Sequence, residues 1–187
     1  MMNRMKPSYR RIEECALYTE QDYQDICAQA RRRWIALLIP CALLFCGVIA
    51  CFGWREQINQ WLGAPASSET AQHLALGLTA LAGVVFVFCQ GVFISPVLCY
   101  RRHLDGVLHQ RTRQTTGAFK QMELAPVTRD GVRFYPFLIN VGKMTDEEDD
   151  RLFFWDVTLP IPNWQPGQKI TVTAHDKALG AWEYAES

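Results

Sequence analysis

The sequence predicts an α+β membrane protein: a two-helix transmembrane hairpin followed by a small C-terminal five-stranded β-barrel of OB-like or SH3-like kind. Two observations lead there. Positions 34–54, between Arg33 and Arg55, and positions 70–100, between Glu69 and Arg101, contain no Asp, Glu, Lys or Arg. At about 1.5 Å rise per residue, each stretch is long enough to cross a hydrocarbon core of roughly 30 Å. After Thr116 the pattern changes from helical spacing to the alternation of strands.

The net charge of zero conceals a partition. Residues 1–116 carry twelve Lys/Arg against eight Asp/Glu, and residues 117–187 carry seven against eleven. The division expected is an N-terminal cytoplasmic helical segment (1–33), a first span (34–54), a short extracytoplasmic loop (55–73), a second span (74–100), a basic helical linker (101–116) and a cytoplasmic β module (117–187). No cleavable leader is expected, because the first apolar run starts behind a polar, charged segment and lacks a small-residue cleavage site.

From Tyr9 the positions Ile12, Cys15/Ala16, Thr19, Tyr23, Ile26/Cys27 and Ala30 recur at helical spacing. They predict a short helix over about 9–17. Thr19-Glu20-Gln21-Asp22 resembles a capping box with Asp in place of Glu, so a second helix starts there and continues into the first span. Arg31, Arg32 and Arg33 precede that span, and Arg101 and Arg102 follow the second, whereas the connecting stretch holds only Arg55. Basic residues collect on the cytoplasmic side, so both termini are expected in the cytoplasm of a multi-pass bacterial plasma-membrane protein. Gly63, Pro65 and Ser67-Ser68 break the loop, with Trp54 and Trp61 placed for the interface.

Within the spans, Ala42, Cys46 and Ala50 form a small-residue stripe, as do Gly91 and Ser95. Such stripes let helix backbones approach closely, within the hairpin or against another subunit. Pro40 and Pro96 are candidate kinks. Polar groups inside the spans are few: Thr79, Gln90 and Ser95, with His73 at the edge. The absence of ionisable residues at depth argues against a proton-driven transporter acting alone.

Seven cysteines occur: Cys15, Cys27, Cys41, Cys46, Cys51, Cys89 and Cys99. None forms C-x-x-C, and none lies in the module, which favours a reducing compartment there and packing roles for the rest. Beyond the second span, a helical continuation to about Thr115 places Leu104, Val107 and Leu108 on one side, weakened by Gly106. His103 and His109, six apart, do not suit one helix face and are not read as a metal pair.

The expected strands are Phe119 to Val127, Val132 to Val141, Arg151 to Leu159, Lys169 to Ala174 and Ala181 to Tyr184. Asp130-Gly131 supplies a hairpin turn, Pro166-Gly167 another, and Asp176 to Gly180 a third. Pro136 implies an edge or a bulge. Both faces of the third strand are rich in apolar residues, so a second cover is expected, with the N-terminal helix a candidate. The layout, together with the G-x-x-I-x-V rhythm of Gly167 to Val172, resembles that of bacterial NfeD-type membrane proteins.

Asp146-Glu147-Glu148-Asp149-Asp150 reads as a solvated hairpin loop, because it lacks calcium-loop spacing. His175-Asp176-Lys177 reads as a turn. No nucleophile elbow, P-loop or H-E-x-x-H is present, so neither catalysis nor a cofactor or metal site is expected. The acidic module argues against nucleic acid. Trp164, in a Pro-rich stretch, is a candidate for an exposed protein contact or, equally, for closing a barrel end. The expected partners are the lipid bilayer and a second copy or another membrane protein, with no small-molecule substrate. The expected role is a non-enzymatic anchor, adaptor or assembly factor. The alternatives are an accessory subunit of a transporter or channel, and a membrane enzyme acting through His175, Asp156 or a cysteine.

Overall fold

A computed structural model describes residues 15–63, 65, 69–144 and 146–185. The chain divides into two compact units, Gln24–Arg101 and, joined from two segments, Met1–Tyr23 with Arg102–Ser187.

The first unit is helical. Helix α1 runs Glu20–Gly53 without a break. Its start realises the expected capping box: Asp22 Oδ2 accepts from the Thr19 N–H and hydroxyl, both at 2.7 Å, and the Asp22 N–H donates to Thr19 Oγ1 at 3.3 Å. The connecting stretch is not simply a loop, because Arg55–Trp61 forms helix α2. The buried Asn59 of α2 accepts from the Ala71 N–H at 2.9 Å. It thereby satisfies an orphan donor in the first turn of helix α3 (Thr70–Cys89), whose own N-cap, Glu69, makes no side-chain bond. A π turn, Gln90–Ile94, joins α3 to helix α4 (Ser95–His109).

The two long helices run antiparallel. A Cβ on Gly47 would lie 3.3 Å from Leu78, and Arg33 Nη1 donates to the Phe93 carbonyl at 2.5 Å. On α1 a covered stripe runs through Ala30, Trp34, Leu37, Cys41, Leu44, Val48 and Cys51, in alternating steps of four and three, with Arg33, Gly47 and Ala50 half-buried beside it. On the partner helix they are Ala71, Ala75, Leu78, Ala82, Val85 and Cys89, then Ile94 and Val97. The five-residue step from Cys89 to Ile94 is the extra residue of the π turn, which shifts the buried face.

Of the two partners expected for the small-residue stripes, the seam leaves the hairpin's own inner face out for most of their positions. Ala42, Cys46, Gly91 and Ser95 are exposed and so do not form the hairpin's inner face, whereas Ala50 is half-buried beside Cys51.

The second unit is a sheet with helical segments. Its strands are β1 (Cys15–Ala16), β2 (Arg113–Met122), β3 (Val127–Arg129), β4 (Val132–Asn140), β5 (Asp150–Asp156), β6 (Lys169–His175) and β7 (Ala178–Tyr184). Strand β2 pairs with β4, β4 with β5, β5 in parallel with β7, β7 with β6, and β6 again with β2. The pairing path therefore returns to its start. Strand β3 extends the β4 side, and β1 pairs with β7. The described part of the predicted 9–17 helix is thus strand at Cys15–Ala16; residues 9–14 lie outside the described residues.

Turn chemistry explains the connections. Asp130 and Gly131 both have positive φ (52° and 79°), the type I′ geometry suited to a two-residue hairpin, here between β3 and β4. Gln168 N–H donates to the Gln165 carbonyl at 3.0 Å around Pro166 and Gly167 (φ 86°), as a type II turn requires. Pro136 sits inside β4 where its pairing on one side changes from β2 to β3, so its missing N–H falls at a break in the ladder. Strand β2 begins at Arg113, six residues before the predicted start. The stretch Gln114-Thr115-Thr116, expected within the helical linker, pairs with β6 instead, since its two β-branched residues favour strand. Strand β7 likewise starts at Ala178, three residues early.

The core gathers Phe119, Phe137, Ile139, Phe153, Trp155, Ile170, Val172, Leu179 and Trp182 around Trp164. Trp164 is 6% exposed, and its ring lies 5.1–5.4 Å from those of Phe119, Phe137, Trp155 and Trp182. The expected exposed contact at Trp164 is therefore corrected: the Pro-rich stretch folds inward and closes the core with it.

Candidate functional site

Three residues distant in sequence meet in the second unit. Tyr18, between β1 and α1, is buried and donates its hydroxyl proton to Asp156 Oδ2 at 3.0 Å. The same hydroxyl lies 3.1 Å from His103 Nε2. Since its one proton goes to the carboxylate, the oxygen accepts from His103, which assigns the imidazole proton to Nε2. Asp156 is 2% exposed, and its Oδ1 accepts from the Thr158 N–H and Thr158 hydroxyl, both at 2.8 Å.

Each member is held by its element. Asp156 ends β5 on the face opposite the core residues Phe153 and Trp155. His103 lies on α4 and packs edge-on against Tyr18 (5.5 Å) and Phe134 (5.1 Å). Burial of the ring pushes the His103 pKa below its usual value. Asp156 opposes that shift, and His175 adds to it. The result is a neutral imidazole, a phenol and a hydrogen-bonded carboxylate in one chain.

The last turns of α4 pack tightly on the sheet. A Cβ on Gly106 would lie 2.9 Å from His175 Cδ2, and one on Gly180 would collide with Val107. Gly106 weakens a helix in isolation, yet here its missing side chain admits the His175 ring. His175 Nδ1 lies 3.1 Å from the Arg111 carbonyl, to which it donates. On the outer side, His109 lies 3.1 Å from both Glu20 and Asp105 and meets the Tyr23 ring. The second cover expected for β5 therefore includes Tyr18 and α4.

The acidic loop is more organised than a solvated run. Asn140, 1% exposed, donates to the Asp146 carbonyl and to Asp150 Oδ1, both at 2.8 Å, and accepts from the Gly142 N–H at 3.1 Å. Asp150 pairs with Lys120 at 2.6 Å, which holds its carboxyl below the usual range and raises the lysine. Asp146, Glu147 and Glu148 remain exposed, as expected, and Asp149 is half-buried.

Of the other residues singled out in the sequence, Arg31, Arg32, Arg101 and Arg102 are exposed, and Arg33 is half-buried through its bond to Phe93. Thr79 donates back to the Ala75 carbonyl at 2.9 Å within its own helix. Among the described residues, no three His, Cys, Asp or Glu side chains gather as a metal site. Asp156 and His103 both drew notice in the sequence, but Tyr18 did not. Its only signal was a large aromatic just before a helix cap. No protein-family model matches the chain, and no curated protein or solved structure is similar to it at a significant level.

Proposed function

We propose that this chain is a two-span integral membrane protein whose closed circuit of strands is a small OB-like β-barrel, acting as a non-enzymatic adaptor or assembly module. The observation that carries the reading is the exposed apolar face of the two long helices. Leu43, Phe45 and Phe52 are 63–69% exposed on one, and Leu76, Val84 and Val87 are 67–69% exposed on the other. In the most apolar 18-residue window of each helix only 11% is buried. The core helix of a soluble protein is mostly covered, and soluble monomers rarely expose apolar patches beyond a few hundred Å².

The arginine bracket at Arg31–Arg33 and Arg101–Arg102 supports cytoplasmic termini in a bacterial plasma membrane. The barrel reading rests on the returning strand path, whose order matches a five-stranded Greek-key barrel. The adaptor role is supported by the outward stripes Ala42/Cys46 and Gly91/Ser95, which suit a second helix hairpin. Crosslinking in native membranes, after resistance to alkaline extraction is established, tests it. Extraction by alkali without detergent ends the membrane reading, and a strictly monomeric, uncrosslinked protein ends the adaptor reading.

A further inference from the structure

The inner face of the strand circuit is apolar along most of its length and turns polar at one end. In antiparallel pairing, directly opposed residues point to the same side. Arg113 opposes Ala174, and Thr115 opposes Val172, both partners being buried core residues. Arg113 and Thr115 therefore occupy core-facing register positions where binary patterning asks for apolar side chains. A break in a fold's own pattern is where a functional position is expected.

At this end lies a cleft of about 430 Å³, lined by Arg113 and Thr115 with Arg111, His175 and Lys177 at its edge. The edge is fixed in place. Asp176 and Lys177 both have positive φ (45° and 72°), a costly conformation for residues with a Cβ. The turn is held by Phe154 N–H donating to the Lys177 carbonyl at 2.9 Å and Arg129 Nη1 donating to the Asp176 carbonyl at 3.1 Å. The His175–Arg111 bond ties the segment before β2 to the same edge.

The charge is unbalanced. Among the described residues, no ion pair engages Arg111, Arg113 or Lys177. The carboxylate lining the cleft, Asp176, is 84% exposed and reaches only His175, at 3.7 Å. Like charges gathered without a counter-ion repel, and an anion seated among them removes that cost. Two guanidinium forks, an ammonium and a hydroxyl match the several acceptor oxygens of a phosphate better than a single carboxylate.

We propose that this cleft binds a phosphate monoester group, presented on a lipid headgroup or on a small soluble molecule. All of its residues belong to the sheet unit, so the proposal stands apart from the membrane and adaptor readings. The test uses the full chain in phosphatidylcholine nanodiscs, titrated with inorganic phosphate by calorimetry. Saturable binding is expected, weakened about tenfold or more by Arg113→Gln and severalfold by Lys177→Gln, each removing a charge-assisted contact. Lys143→Gln, a cation outside the cleft, leaves it unchanged.

Melting curves without phosphate report whether each variant folds, and Lys177→Gln carries the decision if Arg113→Gln does not. Nanodiscs containing phosphatidic acid and titrations with glycerol phosphate separate the two sources. Occlusion of the phosphate site by phosphatidic acid alone identifies a headgroup, and competition by glycerol phosphate alone identifies a soluble ligand. Absence of saturable binding by the wild type, or equal binding by the folded cleft variants, overturns the proposal.

Discussion

Tyr18 donates its phenolic proton to Asp156 across 138 positions of sequence, at 3.0 Å and with both residues at most 5% exposed. One bond thus fastens the segment leading into α1 to the end of β5. A buried carboxylate that loses a donor retains its desolvation cost, so Tyr18→Phe is expected to destabilise the sheet unit by about 1–3 kcal/mol. Asp156→Ala, which also abandons Thr158 and Tyr18, is expected to cost more. Thermal melting of the detergent-solubilised chain checks both, and an unchanged melting temperature for both would remove the clamp's structural role.

His103 makes the clamp sensitive to pH. Burial holds its folded pKa below the unfolded value near 6.5, with Asp156 opposing and His175 reinforcing that shift. The unfolded chain therefore binds more protons, and stability falls as pH drops below about 6.5 towards the lower folded value. His103→Gln keeps a donor near Tyr18 but cannot titrate, so it should flatten the melting-temperature profile in that window. A profile equally steep in the variant would assign the effect to other groups.

Gly106→Ala sets two effects against each other. Alanine gains about 1 kcal/mol of helix propensity over glycine, but its Cβ would fall 2.9 Å from His175 Cδ2. The ring is packed and tied to Arg111, so overpacking at about 1–3 kcal/mol is expected to win. A melting temperature below that of the wild type supports this, and a rise would mean that the ring yields freely.

Much of the architecture was legible because it is local. Two charge-free runs, the Thr19–Asp22 cap, the Asp130-Gly131 and Pro166-Gly167 turns and the alternation through Trp155 each express their geometry within a few residues. What escaped was phase and long-range closure. The π turn at Gln90–Ile94 moves the buried face by one residue, and no composition signal marks it beyond Pro96 just after it. Tyr18, His103 and Asp156 come from three distant stretches, and a hydrogen bond at a separation of 85 or 138 positions has no periodicity to reveal it. Trp164 left two readings open, because a tryptophan in a proline-rich stretch either faces solvent or, as here, lids the core.

Asn140 organises the acidic loop through three hydrogen bonds, so its removal should act on order as well as on stability. Asn140→Ala is expected to cost about 2–3 kcal/mol and to leave Asp150 with Lys120 alone. The loop should then become a preferred site of limited proteolysis. Because Lys120 depresses the Asp150 pKa, that pair's contribution is present above the unfolded carboxylate value and is lost as pH falls through the folded one. Protease resistance equal to the wild type would show that the loop is held by other means.

The final prediction separates the two faces of α1. Cys46 is exposed on the outward stripe, whereas Cys51 is buried in the seam against the partner helix. If the stripe receives a second copy of this chain, a variant retaining only Cys46 should form a disulfide-linked dimer under mild oxidation in native membranes. A variant retaining only Cys51 should not, because its thiol is covered within its own hairpin. Replacing Ala42 by Leu should abolish the Cys46 product, since a large side chain one turn away keeps helix backbones apart. Dimer from Cys51 but not Cys46 would invert the assignment of the packing face. Absence of dimer from both would direct the stripe towards lipid or a different protein.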